Sequence, residues 1–330
     1  MPRLSIIIPS QGDWQSLETT LVSVLQNRPP HCEVVVVLDQ GYDDPYELRE
    51  EVRFIEAPRR ARMVDLINAG FVAARAELLH VVACGATIDE GWTEPALRNF
   101  DDPQIAAVAP LVLDAACPTH VVSAGCLWSA GGELCRFASG LRADTLSGPG
   151  RNWVGPDCVA AFYRRSALAE VASLDATLPA ELAAIDLSLR LAESGRRSVL
   201  ELGSRLAVER TLLAPARHLS DGWHSERLFW RYAAQRGRLR KLAAHAGLLS
   251  SELLFAVVRP TRLARTLGRL IGTCDRRQAQ TTSLPREPAH CRPLCDHDRR
   301  VDQAHGSCTS ERGAGTRRSP VSLSATEKTS

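Results

Sequence analysis

The run VVVVLDQG, residues 34–41, decides the fold class. Four consecutive valines with no polar alternation read as a strand buried on both faces, as in a parallel sheet covered by helices. Upstream, RLSIIIPS is a second short β-branched run, stopped by Pro9. Between the two, Asp13 stands as an N-cap, and Leu17, Leu21, Val24 and Leu25 recur at helical spacing. Downstream, DPYELREE predicts a short polar helix, VRFIEA a third strand and RMVDLINAGFVAA a helix. LLHVVA predicts a fourth strand, WTEPALRNF a helix and QIAAVAPLVL a further strand. This β-α-β-α alternation predicts an open, mostly parallel α/β sheet with right-handed crossovers. Ligands of such sheets sit beyond the carboxyl ends of the strands. Those ends are Pro9-Ser10, Asp39-Gln40 and Ala83-Cys84-Gly85.

From 114 to about 150 the chain is rich in small residues and shows little period. NWVGPDCVAAFYRRSAL then predicts a strand entering a helix, and RRSVLEL a closing strand. AELAAIDLSLRLAESG predicts a helix with Leu182, Ile185, Leu189 and Leu191 inward. Residues 225–271 turn helical and basic. The 330-residue chain is near neutral at +2, yet residues 1–225 hold 20 basic and 29 acidic side chains, whereas 226–272 hold 10 and 2. An acidic body therefore carries a basic appendage. Residues 273–330 are short of large apolar side chains and are expected to be disordered. In that tail His290, Cys291, Cys295, His297, His305 and Cys308 invite a zinc reading, but their spacing is loose and a disordered tail is expected.

Cys32, Cys84, Cys117, Cys126, Cys135 and Cys158 show no paired spacing, which fits reduced thiols. The opening apolar run is too short for a signal core, and no stretch is long enough for a membrane span. A cytoplasmic protein is expected, with peripheral contact at the inner face of a membrane through residues 251–271. There Arg259, Arg262, Arg265 and Arg269 recur on one side and Leu263, Leu267, Leu270 and Ile271 on another. Packing of this helix on the acidic body stays open as a second reading. Nucleic acid is not expected, because aromatics are sparse and no recognition motif appears.

These landmarks together resemble the family 2 glycosyltransferases over residues 3–210. LSIIIPS is similar to the family's opening strand, and VVVVLDQGYDD to its second strand and "DDGS" turn, with Asp39 on the first aspartate. INAGFVAARAELLHVV resembles "RNxGxxxAxGExxxFL" through Asn68, Gly70, Ala74 and Glu77. VAAFYRRSALAEVASLDATL is similar to the stretch carrying Arg164, Arg165, Leu174 and Asp175. IDLSLRLAESGRR looks like the "EDxDLxxRxxxxGxR" helix through Asp186, Leu187, Arg190 and Gly195. The resemblance implies a GT-A fold: an α/β, nucleotide-binding, mostly parallel open sheet flanked by helices. With the shift in charge, it divides the chain into a domain over 1–222, a basic amphipathic helical extension over 223–272 and the tail over 273–330.

The resemblance also implies transfer of a sugar from a nucleoside-diphosphate sugar to a glycan acceptor hydroxyl. Pro9, Ser10, Asp39, Asn68, Ala83 and Gly85 then become the nucleotide-binding positions, with a turn-forming Asp39 as the open alternative. Family members hold Mg²⁺ or Mn²⁺ on "DxD" carboxylates, hard oxygen ligands for a hard ion. Here those positions read Ala83-Cys84-Gly85, so no metal cofactor is expected. Asp89 and Glu90 are nearby acids, read as a helix cap. The family's catalytic base falls on Ala184, leaving Asp186 or Glu181 as substitutes. The expectation is a family member with impaired or lost catalysis, a pseudoenzyme of polysaccharide biosynthesis. A metal-independent active transferase and a non-catalytic glycan-binding or interaction scaffold stay open beside it.

Overall fold

The computed structural model describes residues 2–210, 219–233, 238–258, 263–274 and 292–293. Strand β1 (Leu4–Ser10) leads to α1 (Trp14–Asn27), β2 (Cys32–Leu38), β3 (Val52–Glu56) and α2 (Met63–Ala73). Then come β4 (Leu78–Val82), β5 (Ala86–Ile88), α3 (Glu94–Asn99) and β6 (Ile105–Asp114). Three short strands follow, β7 (Cys117–Ser123), β8 (Cys126–Trp128) and β9 (Leu134–Arg136), then β10 (Trp153–Gly155) and β11 (Ala160–Arg164). The chain continues through α4 (Arg165–Val171), α5 (Ala180–Glu193), β12 (Arg197–Val208), α6 (Leu219–Ala233), α7 (Arg238–Val258) and α8 (Leu263–Cys274). A two-residue β13 (Arg292–Pro293) pairs with the edge of β3.

The main sheet runs β13-β3-β2-β1-β4-β11-β6-β12-β5, with β7 attached to β6. Strands β3, β2, β1 and β4 are mutually parallel, and β11 enters antiparallel between β4 and β6. Every residue of β1 is buried, as are all four valines of β2, which is why neither strand alternates in polarity. Asp13 caps α1 as expected, accepting from the Ser16 amide at 3.1 Å. In α5, Leu182, Ile185 and Leu191 are buried.

Several expectations are corrected. The short polar helix after β2 is a 3₁₀ turn, Leu48–Glu50. Residues 114–150 are not irregular: they carry β7, β8 and β9, and β8 forms a separate three-stranded sheet with β9 and β10. β8 and β9 are too short to show a period, and β7 is exposed over its first half and buried over its last three residues rather than alternating. Asp89 and Glu90 cap nothing, because α3 starts at Glu94 behind Thr93. The closing strand is longer than RRSVLEL, since it continues to Val208 alongside β6 and β5.

The boundary at 222/223, set from charge, lies inside α6. Helices α6 and α8 cross backbone to backbone. A Cβ on Gly222 would lie 1.9 Å from the Arg265 carbonyl oxygen, and one on Gly268 would lie 1.9 Å from that of Leu219. Only hydrogen fits at either position. The basic face expected of α8 is also turned. Arg269 is fully buried, 3.2 Å from Glu252, 3.7 Å from Glu226, and donating to the Gly132 carbonyl at 2.9 Å. Glu226 also meets His245 at 2.9 Å and accepts from Trp230 at 2.6 Å. A buried guanidinium needs such partners. Arg259 and Arg262 lie outside the described residues, as does the 273–330 tail apart from Thr273, Cys274, Arg292 and Pro293. No helix among the described residues is long and apolar enough to cross a membrane.

Candidate functional site

The carboxyl ends of β1, β2 and β4 converge. The Asp39 amide donates to the Ser10 carbonyl at 3.3 Å, and the Cys84 thiol donates to the Pro9 carbonyl at 3.2 Å. The loops behind them interlock. Gln11 donates to the Ala61 carbonyl at 2.9 Å, just ahead of α2, and Gln40 lies against Gly12 so closely that a Cβ would fall 1.6 Å from its Nε2. Gly12 has φ +81°, so a glycine serves both the turn and the contact. Asp39 Oδ1 is buried and meets no hydrogen-bond donor among the described residues. A carboxylate oxygen left this way costs free energy unless a ligand satisfies it.

Ala83 and Gly85 present backbone only. The Ala83 amide is used by the Val159 carbonyl at 2.8 Å and the Gly85 amide by the Ser16 carbonyl at 3.1 Å. Burial pushes the Cys84 thiol up to about 11, so at neutral pH it stays protonated; the Ser10 hydroxyl nearby opposes part of that shift. A protonated thiol between two residues without side-chain oxygens does not suit Mg²⁺ or Mn²⁺. Among the described residues, no group of three or more His, Cys, Asp or Glu side chains forms a metal-holding cluster elsewhere.

The other sequence-selected positions are tied into the fold. Asn68 is buried. Its amide donates to the Leu174 carbonyl at 2.8 Å and accepts from the Leu174 amide at 3.0 Å. It clips α2 to the segment before α5. Arg165 donates to the Ala76 carbonyl at 2.8 Å, and Glu77 accepts from the Ser166 hydroxyl at 2.6 Å, so other motif residues are structural ties as well. Asp186 is wholly buried. It accepts from Arg190 Nε at 2.8 Å, Arg231 Nη1 at 2.8 Å and Tyr232 Oη at 3.0 Å. Arg231 reaches Asp175 at 3.1 Å as well. Ala184 is buried on the same helix. Glu181 is more open, with a side chain 36% exposed, and it is held by Arg136 at 2.5 Å. Arg136 also faces the buried Asp157 at 3.8 Å, whose carboxylate accepts from the Ser123 hydroxyl.

Helix α6 supplies side chains that the sequence did not flag. Burial holds the half-buried His224 imidazole below its usual range, and the Arg227 and Arg62 guanidiniums push the same way against Asp221 and Asp175. Arg231, about two turns further along α6, ties this helix to Asp175 in the turn before α5 at 3.1 Å. Arg227 stacks over the Trp223 ring at 4.5 Å. Only the density of aromatic and basic residues in WHSERLFWRY signalled this face.

The family model described as glycosyl transferase family 2 matches residues 5–171, half of the chain. Polypeptide N-acetylgalactosaminyltransferase 12 from Mus musculus and its Homo sapiens counterpart are each 32% identical over 123 residues. Each match covers 34% of this chain and 21% of the relative, so the chain spans about a fifth of the length of these curated relatives. The crystal structure of S. aureus TarS 1-349 superposes with a TM-score of 0.53 at 13% identity, covering 85% of this chain and 81% of that one. That likeness concerns the fold: an open, mostly parallel sheet, flanked by helices, of the GT-A kind. This chain belongs to glycosyl transferase family 2.

Proposed function

We propose that this chain binds a nucleoside-diphosphate sugar at the carboxyl ends of β1, β2 and β4, without a carboxylate-held metal, and that its transfer chemistry is impaired or lost. The observation that carries the binding half is the open, buried Asp39 oxygen. An imide or amide N–H of a nucleobase is the donor it lacks, and the family membership supplies the context. Transfer would break the bond between the sugar's anomeric carbon and the diphosphate and form one to an acceptor oxygen. It therefore needs a counter-charge for the diphosphate and a base for the acceptor proton. Arg62, next to the Gln11–Ala61 contact and paired with Asp65 at 3.2 Å, and Arg227, stacked over Trp223, are the cations we assign to the diphosphate. Of the two substitute carboxylates, Glu181 is the one a ligand reaches, because Asp186 is enclosed by three donors.

Calorimetric titration with UDP and with GDP, each with and without Mn²⁺, tests this reading. One of the two is expected to bind with an affinity that Mn²⁺ barely alters. Asp39→Asn is expected to weaken it about tenfold or more, the loss of a hydrogen bond to a charged group. A strong Mn²⁺ enhancement, or no binding of either nucleotide, would show the proposal to be wrong.

One observation favours a second contact, with a membrane surface. On α8, Leu263, Leu267, Leu270 and Ile271 are between 43% and 51% exposed, whereas Arg269 is buried. The outward face is thus apolar, and it sits on the basic part of the chain. Flotation with anionic vesicles is expected to carry the full chain upward, and the Leu267→Glu, Leu270→Glu double variant is expected to stay in the buffer. Equal behaviour of the two proteins would remove the membrane reading.

A further inference from the structure

Away from the strand ends, a cavity of about 410 Å³ opens between the β8-β10 edge, α5, α6 and the start of α7. Its volume suits a small ligand. Its walls are aromatic: Trp128 from β8, and Phe229 and Tyr232 from α6. Phe229 and Tyr232 are only 2% and 7% exposed, and Phe229 is stacked on His245 at 3.9 Å, so they make the floor of the cavity, while the half-buried Trp128 is the aromatic ring that a ligand reaches. Its charges are all of one sign. Arg151, from the loop before β10, faces Arg240 and Lys241 from the first turn of α7, and no carboxylate is among the described residues that line it. Glu193 acts on Tyr232 without lining the cavity.

The ordinary reading of Arg240 and Lys241 is that they complement the carboxyl end of α6, and Lys241 does donate to the Tyr232 carbonyl at 2.9 Å. That accounts for one of its three N–H groups. It does not account for Arg151, which arrives from a distant segment. Three cations around one hollow raise its positive potential and favour an anion there. The Trp128 ring beside such an anion accepts the apolar face of a sugar ring.

We propose that this cavity binds a saccharide that carries a phosphate or carboxylate group, as the acceptor of the transfer named above. The proposal rests on that reading for the word acceptor and on the cavity alone for the ligand. Tyr232 ties the cavity to the Asp186 network, because its ring forms the wall while its hydroxyl donates to that carboxylate at 3.0 Å. Along α6, Tyr232 lies eight residues from His224, about 12 Å at 1.5 Å per residue. Only a saccharide several units long, seated here, would span that distance.

Titration of the full chain without nucleotide tests the proposal, followed by calorimetry and by tryptophan fluorescence. The probes are glucose 1-phosphate, glucuronate, glucose and inorganic phosphate. The two anionic sugars are expected to bind, with glucose and inorganic phosphate each at least about tenfold weaker, and with binding that fades as salt rises. Arg151→Ala and Arg240→Ala remove exposed side chains, so both variants should melt like the wild type. Each is expected to weaken the anionic sugars about tenfold while leaving the UDP titration unchanged. Asp39→Asn is expected to leave the sugar titration unchanged, which excludes capture at the nucleotide end. Equal binding of glucose and glucose 1-phosphate, inorganic phosphate binding as tightly as the sugar phosphate, indifference to both arginine variants, or no binding at all would each overturn the proposal. Sugar binding without binding of either UDP or GDP would leave this site standing and withdraw the nucleotide reading; nucleotide binding without sugar binding would do the reverse.

Discussion

Asp186→Ala is expected to lower the unfolding free energy by about 3–5 kcal/mol, the usual cost of breaking a buried ion pair from one side. The carboxylate has no contact with solvent and is shared by Arg190, Arg231 and Tyr232. Arg190 suffers least from its loss, because it also donates to the carbonyls of Val171, Ala172 and Ser173. Among the described residues, Arg231 keeps Asp175 alone. The damage therefore falls on the seating of α6 against α5. Asp186→Asn keeps the shape and part of the hydrogen bonding, and is expected to fall between the wild type and Ala. Urea unfolding of the three proteins at pH 7 checks this. A loss under about 1 kcal/mol in Asp186→Ala would show that the arginines find other partners. The same series separates a clamp from a base, since a base replaced by Asn loses rate without losing stability.

Acidification from pH 6.5 to 5 is expected to cost the wild type about 1.6 kcal/mol more than it costs a His80→Leu variant. His80 lies in β4, wholly buried, stacked on Phe162 with ring centroids 3.5 Å apart and 4.7 Å from Trp92. Its Nδ1 meets the Ala161 carbonyl at 3.0 Å, while Nε2 meets nothing among the described residues. The neutral ring with a proton on Nδ1 fits this pocket. Burial pushes its pKa down to about 3, with the Ala161 contact opposing. The unfolded chain takes up this proton near pH 6.5, and the folded chain only near 3. Between those values the unfolded state binds one more proton. Stability is therefore complete above about 6.5 and declines toward 3, by about 1.4 kcal/mol per pH unit. Urea midpoints of both proteins at the two pH values measure the difference. Parallel losses would mean that the ring gains a proton without leaving its place.

The central sheet was legible because its strands are buried on both faces, and uninterrupted apolar runs such as Val34–Val37 have few other uses. The β7-β10 region was not, since β8, β9 and β10 are three residues each and β7, CPTHVVS, is exposed over its first half, so none shows a buried alternation. Arginine spacing revealed α8 as a helix but not its orientation. Which side faces inward depends on Glu226 and Glu252, whose placement needs the tertiary fold. The candidate site divided in the same way. The pair Asp186–Arg190 is a four-residue repeat that any helix brings together. Its second partner, Arg231, is 45 residues away and left no local sign. The missing oxygens at Ala83 and Gly85 could be read letter by letter, whereas the open oxygen of Asp39 and the cation-lined hollow by Tyr232 exist only after folding.

The bare crossing at Gly222 and Gly268 has a mechanical consequence. With two backbones in direct touch, α6 and α8 cannot slide or roll against each other without a clash. Leu267 and Leu270 flank Gly268 at that crossing, and Arg231 and Tyr232 lie further along α6. The outer ridge and the floor of the hollow thus belong to one interlocked pair of helices.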